Sequence, residues 1–375
     1  MDSSNLQIPF LRAVFPDDIH ESLAEVFESG YVGSGELVAL FEQALEDYLG
    51  APAAMITSSC TAALALTYVA VGIGRDSCVL STPMSCAATN IPLLQLGARI
   101  EWLDIDPLSG NVTAETLSDG LRRCDKADAV VIMDWGGVPC DYPALGTECR
   151  KRKIPLILDA AQSFGTSFAN KLWPPEPDYV CHSFGPTKLF SSVEGGAVFA
   201  ASQASLERMR TLRWYGIRRE SRDRLRFWEY DIEELGYRFV SNNISAAIGL
   251  RMLGQMNNRL QHHRKLAAMY DEMLARVPGL RIGIRPNGSR PNFWLYTILV
   301  ENREGLLSKL HSAGIHAATP HKRNDELLAA WNGAARATEL KGLKEFSQQY
   351  LCLPIGSWMQ SGDVERVCRI VKEGW

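Results

Sequence analysis

A chain of 375 residues is too long for one small core, so two domains are expected. Its 46% hydrophobic and 22% charged content describes an ordinary globular protein, and a net charge of −4 without a basic block excludes nucleic acid as a natural partner. Nine cysteines, with no Cys-x-x-Cys pair and no Cys/His spacing suited to a metal, read as buried free thiols in a reducing cytoplasm, with no metal centre.

The opening residues lack the basic start and apolar centre of a signal peptide. Residues 16–49 predict two amphipathic helices, closed by Gly30 and Gly50 and separated by the loop YVGSG. Gly33 and Gly35 would let backbone approach a ligand there, or simply make a turn. In AAMITSSCTAALAL a short strand runs into Ser58-Ser59-Cys60-Thr61 and an Ala/Leu helix. Hydroxyls and free N–H groups at a helix start suit either an anion or an ordinary cap.

Alternating strands and helices continue through SCVLS, ARIEW, AVVIM, IPLILD, DYVCHSF and GAVFAA, which predicts a mainly parallel sheet with helices on both faces. Residues 77–98 carry no charge, but Pro83, Asn90, Pro92 and Gln95 interrupt them, so no membrane span is expected. The basic-aromatic stretch WYGIRRESRDRLRF reads as a solvated or interface face. Residues 241–277 read as one long helix started by Ser241 or Asn242 and bent near Gly249 or Gly254. Beyond about residue 276, short strands and helices form a smaller α+β unit. A large domain over 1–240 and a smaller one over 241–375 are therefore expected.

The stretch from 159 to 196 organises the rest. Asp159 ends the apolar strand IPLIL, Ser183 ends the next, and Lys188 follows in a loop closed by Gly195-Gly196. Open α/β sheets bind ligands at the carboxyl ends of their strands. An acid and an amine there suit pyridoxal phosphate, whose chemistry needs an amine to join it covalently and an acid to keep its ring nitrogen protonated. Read alone, Asp159 is equally a helix N-cap for the residues after it, and Lys188 a solvated charge.

In order and spacing, YVGSG-x-x-V-x-x-FE, SS-x-TAAL, D-I-D-P-x-S-G-N, DAAQ-S-x-G, SF-x-P-T-K and EGGAV resemble the DegT/StrS-type pyridoxal-phosphate-dependent sugar aminotransferases. The resemblance covers almost the whole chain. It implies fold type I of the pyridoxal-phosphate enzymes: an α/β body with a mainly parallel central sheet and a smaller C-terminal α+β domain. It further implies Lys188 as the covalent attachment and proton carrier, Asp159 at the ring nitrogen and Gln162 near the ring hydroxyl. Ser59, Cys60, Thr61 and Ser183 would hold the phosphate. Arg238 would reach the phosphate of a partner subunit, giving a homodimer with shared sites.

The chain departs from the family pattern at three places. Cys86 stands where many relatives place an aromatic ring over the cofactor, and Cys60 where a small Gly is usual. Asp134-Trp135 stands where many have His and Tyr, and Trp135 would stack on ring or sugar, or belong to the core. Gly33, Trp135, His321, Arg323 and Asn324 are the candidate substrate contacts, with Arg213 a further candidate for a nucleotide diphosphate or donor carboxylate. The implied reaction moves an amino group, from glutamate, to a nucleotide-linked keto-sugar. The alternative is dehydration or other chemistry of the same cofactor on a non-sugar carbonyl. Lys188 itself argues against the related dehydratases, which carry His in its place.

Overall fold

The computed structural model describes residues 8–218, 232, 234–331 and 339–375, so most of the basic-aromatic stretch lies outside the described residues. Seven of the eight strands of the N-terminal half share one sheet. These are β1 (Ala53–Thr57), β2 (Cys78–Ser81), β3 (Arg99–Trp102), β4 (Ala129–Met133), β5 (Leu156–Asp159), β7 (Tyr179–Ser183) and β8 (Gly196–Ala200). The two-residue β6 (Ser167–Phe168) stands apart. The order is β1-β8-β7-β5-β4-β2-β3. All neighbours run parallel except β8, which is antiparallel to both β1 and β7. Parallel neighbours need a crossover; helices Ala87–Gln95, Ala114–Arg123 and Tyr142–Arg152 lie on the connections that link β2, β3, β4 and β5, while β5 reaches β7 through residues 160–178, which hold β6 and no helix. Between β7 and β8 no helix intervenes, so the chain turns back, and residues 184–195 form a loop at the carboxyl edge of the sheet. Lys188 lies on that loop.

The second half builds a three-stranded antiparallel sheet, β12-β11-β9, from β9 (Leu280–Ile282), β11 (Tyr296–Val300) and β12 (Tyr350–Leu353); the short β10 (Ser289–Arg290) pairs with β6 instead. A second apolar core forms here around Leu266, Tyr270, Ile298, Leu310, Leu351 and Val367. Ile8 joins this unit too, bridging Ile315 in parallel. β12 has no sequence counterpart in the reading above. Its residues, YLCL, are too short for a visible alternation.

The expected single helix is two, Asn243–Gly254 and Met256–Leu274, broken at Gln255. The start is as read: Asn242 caps it, its side chain accepting the Ser245 N–H at 2.9 Å. Gly249 is no bend. It lies against the Phe41 ring, where a Cβ would collide with ring carbons.

Two histidines are locked into the interior. His182 on β7 has Nδ1 at 3.0 Å from the Ala160 carbonyl, and His263 has Nδ1 at 3.1 Å from that of Phe293. Burial pushes both down to about 4, below their ordinary value of 6.5. Between those values the unfolded chain takes up protons that the folded one refuses, so stability falls as pH drops from about 6.5 towards 4. By about pH 5 each histidine is expected to have cost about 2 kcal/mol. Urea midpoints at neutral and acidic pH check this, and the acid loss should be smaller in His182→Gln.

Candidate active site

Asp159 closes β5 as a buried residue, 3% exposed. One oxygen accepts the Thr89 hydroxyl at 2.6 Å and the other the Ala161 N–H at 3.0 Å. The residues after it form turns, so it makes a short local turn and caps no helix. Burial pushes its carboxyl above the usual range, while Thr89, the Ala161 N–H and the nearby Lys188 pull it back. Lys188 is half-buried, and its amine sits 3.7 Å from the centre of the Trp294 ring. The Trp294 N–H donates to the Thr187 carbonyl at 2.8 Å, so the ring is pinned beside the lysine it faces. Burial lowers the Lys188 amine from its ordinary value, with Asp159 opposing.

Beside this pair lies a helix start. Ser59 caps Cys60–Ala70, its hydroxyl accepting the Ala62 N–H at 3.1 Å. The N–H groups of Cys60 and Thr61 are left without a protein acceptor among the described residues. Gly196 pairs with both Thr57 and Ser183, and a Cβ on it would collide with the Cys60 nitrogen and the Ser59 carbonyl carbon. Glycine therefore lets the helix start settle against β8, next to Ser183. The loop between Lys188 and Gly195 is held under strain: Val193, β-branched, has φ 68. Its N–H donates to the Ser191 hydroxyl and the Ser192 N–H to the Phe184 carbonyl, each at 3.0 Å.

Gln162 is fixed from two sides. Its carbonyl accepts the Gly136 N–H at 2.7 Å, and its amide nitrogen lies 3.1 Å from His321 Nε2. His321 is pushed down to about 4, by burial first and by Lys188 second, so its ring is neutral. Cys86 is exposed and directly precedes helix Ala87–Gln95, whose Thr89 bonds Asp159.

The other candidates scatter. Trp135 is a core residue, 1% exposed, its N–H bonded to Thr297 and its ring edge-on to His321, Phe346 and Tyr350. Asn324 is fully buried and donates to Ser85 Oγ at 2.8 Å, clamping the 320–325 loop onto the Cys86 loop. Arg323 is committed to Asp325 at 2.5 Å, beside an open cleft of about 340 Å3 that His321 also lines. Arg213 is tied to Glu42 at 3.0 Å and to the Ile56 carbonyl. Gly33 is exposed, and its carbonyl accepts the Asn243 N–H. Arg238 is exposed and stacks on Trp214, 4.1 Å from the ring centre. A larger cleft, about 860 Å3, shares no lining residue with this group, and its Asp104 caps helix Lys341–Gln349 through the Gly342 and Leu343 N–H groups.

Sequence reasoning missed Thr89 and Trp294. Thr89 sits in the first turn of helix Ala87–Gln95 and Trp294 in the apolar run NFWLY, and nothing local separates either from an ordinary structural residue.

An amine, a buried acid and an unfilled helix start at one sheet edge suit a phosphorylated, nitrogen-containing ring, and comparison with known proteins agrees. Residues 15–372 match the model of the DegT/DnrJ/EryC1/StrS aminotransferase family. The UDP-4-amino-4,6-dideoxy-N-acetyl-beta-L-altrosamine transaminase of Campylobacter jejuni is 27% identical, covering 92% of each chain. The dTDP-4-dehydro-2,3,6-trideoxy-D-glucose 4-aminotransferase of Saccharopolyspora spinosa is 27% identical over 80% of each. The crystal structure of the sugar aminotransferase CalS13 from Micromonospora echinospora superposes with a TM-score of 0.91 at 31% identity, over 98% of this chain and 100% of that one. The chain belongs to the DegT/DnrJ/EryC1/StrS aminotransferase family and is a pyridoxal-phosphate-dependent aminotransferase.

Proposed function

We propose that the protein carries an amino group from glutamate to a keto-sugar linked to a nucleotide. The observation that carries this reading is the Lys188 amine and the buried Asp159 carboxylate at one sheet edge, beside a helix start with free N–H groups. The relatives named above act, by their names, on UDP- and dTDP-linked sugars, which supports the substrate class.

Bound pyridoxal phosphate supplies an electron-accepting ring that takes up and returns the amino group. The chain does the rest. Lys188, made less basic by burial, is the attachment point and the group that moves protons at the reacting carbon. Asp159, costly to bury as an anion, is stabilised by a protonated ring nitrogen and keeps the proton there. Ser59, Cys60, Thr61 and Ser183 hold the phosphate through hydroxyls and N–H groups. Gln162, oriented by Gly136 and by neutral His321, lies near the ring hydroxyl. Cys86 leaves the mouth of the site free of an aromatic cover.

Lys322, on the cleft that Arg323 and Arg303 also line, gives an anionic nucleotide arm a place to dock, and Arg323 would exchange Asp325 for it. Gly33 and the exposed Tyr31 and Val32 of its loop, with exposed Arg238, support a homodimer whose sites draw on both subunits. The division near residue 240 into a cofactor-binding body and a C-terminal domain is part of the same reading. Nine unpaired cysteines support a cytoplasmic setting, and no helix among the described residues is long and apolar enough to cross a membrane.

Lys188→Ala is expected to abolish turnover and leave a folded chain to which borohydride no longer fixes the cofactor mass. Retained turnover would overturn the assignment. Asp159→Asn should keep that fixable attachment yet slow the reaction by about a hundredfold or more, read as kcat. Glutamate alone should release one equivalent of 2-oxoglutarate per site. Addition of UDP- or dTDP-linked keto-sugars should then give aminated product by mass spectrometry. Release of 2-oxoglutarate with every sugar refused would leave the aminotransferase and remove the sugar.

A further inference from the structure

Two residues that each carry a buried donor without an acceptor line one void. Arg259, on helix Met256–Leu274, is 8% exposed, its Nε is sealed without a hydrogen-bond partner, and among the described residues no carboxylate pairs with it. The indole N–H of Trp358 is likewise buried and unpartnered. Both line a void of about 20 Å3 whose wall also includes Arg12 and Lys188, and which contains no Asp or Glu. His263 and Ser357 line it too, but they engage each other at 3.3 Å, and His263 is held neutral.

A guanidinium and an indole N–H only donate, so neither can satisfy the other. What the void lacks is an acceptor. A water would accept the hydrogen bonds but bring no charge to the Arg259 guanidinium, which among the described residues has no carboxylate partner, and a largely buried cation without a counter-charge is unfavourable. Room exists for a single occupant the size of a water or a halide, which rules out a substrate or the cofactor.

We propose that this void is a binding site for a compact monovalent anion of chloride size, held by the Arg259 guanidinium and the Trp358 N–H. The anion would join three distant pieces of chain: the N-terminal segment at Arg12, the loop carrying Lys188, and the 355–358 turn. The site stands independently of the substrate reading, because none of its argument uses the sugar or the donor.

Holoenzyme crystals soaked in bromide test it directly. An anomalous peak within hydrogen-bond reach of Arg259 and Trp358 is expected, and density for water alone at that place would overturn the site. In solution, replacing gluconate by chloride at constant ionic strength should raise the thermal midpoint of the wild type by about 3 °C. Arg259→Met should lose that response and, relieved of an unpaired charge, be at least as stable as wild type in gluconate. An unchanged chloride response in Arg259→Met sinks the proposal. Should that variant not fold, Trp358→Phe, which deletes one donor, is expected to weaken the response, and no weakening there counts equally against the site.

Discussion

The site depends on one acid being held in the interior where a strand stops. Asp159 receives a hydroxyl, one N–H and the weak donor of the Cys60 thiol, and none of them neutralises it. A carboxylate so placed is unfavourable without a positive partner. β4 and β7 flank β5 and fix the residue, so it cannot swing out to water. In the role proposed for it, the Lys188 amine has the opposite requirement, to move, and a loop serves that. The reversal of β8 reconciles the two, because it replaces a crossover helix with residues 184–195 at the same edge as Asp159.

The C-terminal half completes the arrangement through polar contacts. Asn292, 1% exposed, donates to the carbonyls of Gln162 and Phe164 at 3.0 Å, while its own side-chain carbonyl accepts the backbone N–H of Trp294 at 2.9 Å. A side chain at Gly137 would collide with that amide, and Gly137 has φ 87, so glycine is required there twice over. His321 meets Gln162, and Asn324 meets Ser85. Each contact is directional, so the C-terminal lobe fixes the orientation of groups in the site as well as covering them.

Much of this was legible because its causes are local. An apolar run ending in Asp, a serine before an Ala/Leu helix, an Asn ahead of a helical pattern, and glycines at 30 and 50 each act within a few residues. What failed was long-range. The approach of Gly196 to Cys60 joins residues on different elements. The second helix runs from the large core, at Met256 and Leu260, into the smaller one, at Leu266 and Tyr270, and no local pattern in the sequence marks the break at Gln255. The nomination of Asn324 and Arg213 for ligand contact overlooked the internal partners, Ser85 and Glu42, that folding supplies. Charged and amide groups cannot be sorted into ligand contacts and clamps before their partners are known.

That lesson bears on the aromatic surface of the site. The resemblance led attention to position 86, where this chain has a thiol. The ring that meets Lys188 belongs instead to Trp294, which precedes β11 in the other half of the molecule. Because its N–H is bonded to the carbonyl of Thr187, ring and lysine loop are mechanically joined. An ammonium over an indole face is favoured by the ring's charge distribution, while burial disfavours the same charge. The basicity of Lys188 is thus set by two opposed effects, both of which depend on the placement of a strand in the smaller sheet. A shift of β11 against the large sheet would change the reactivity of the amine without touching any residue of the N-terminal motifs.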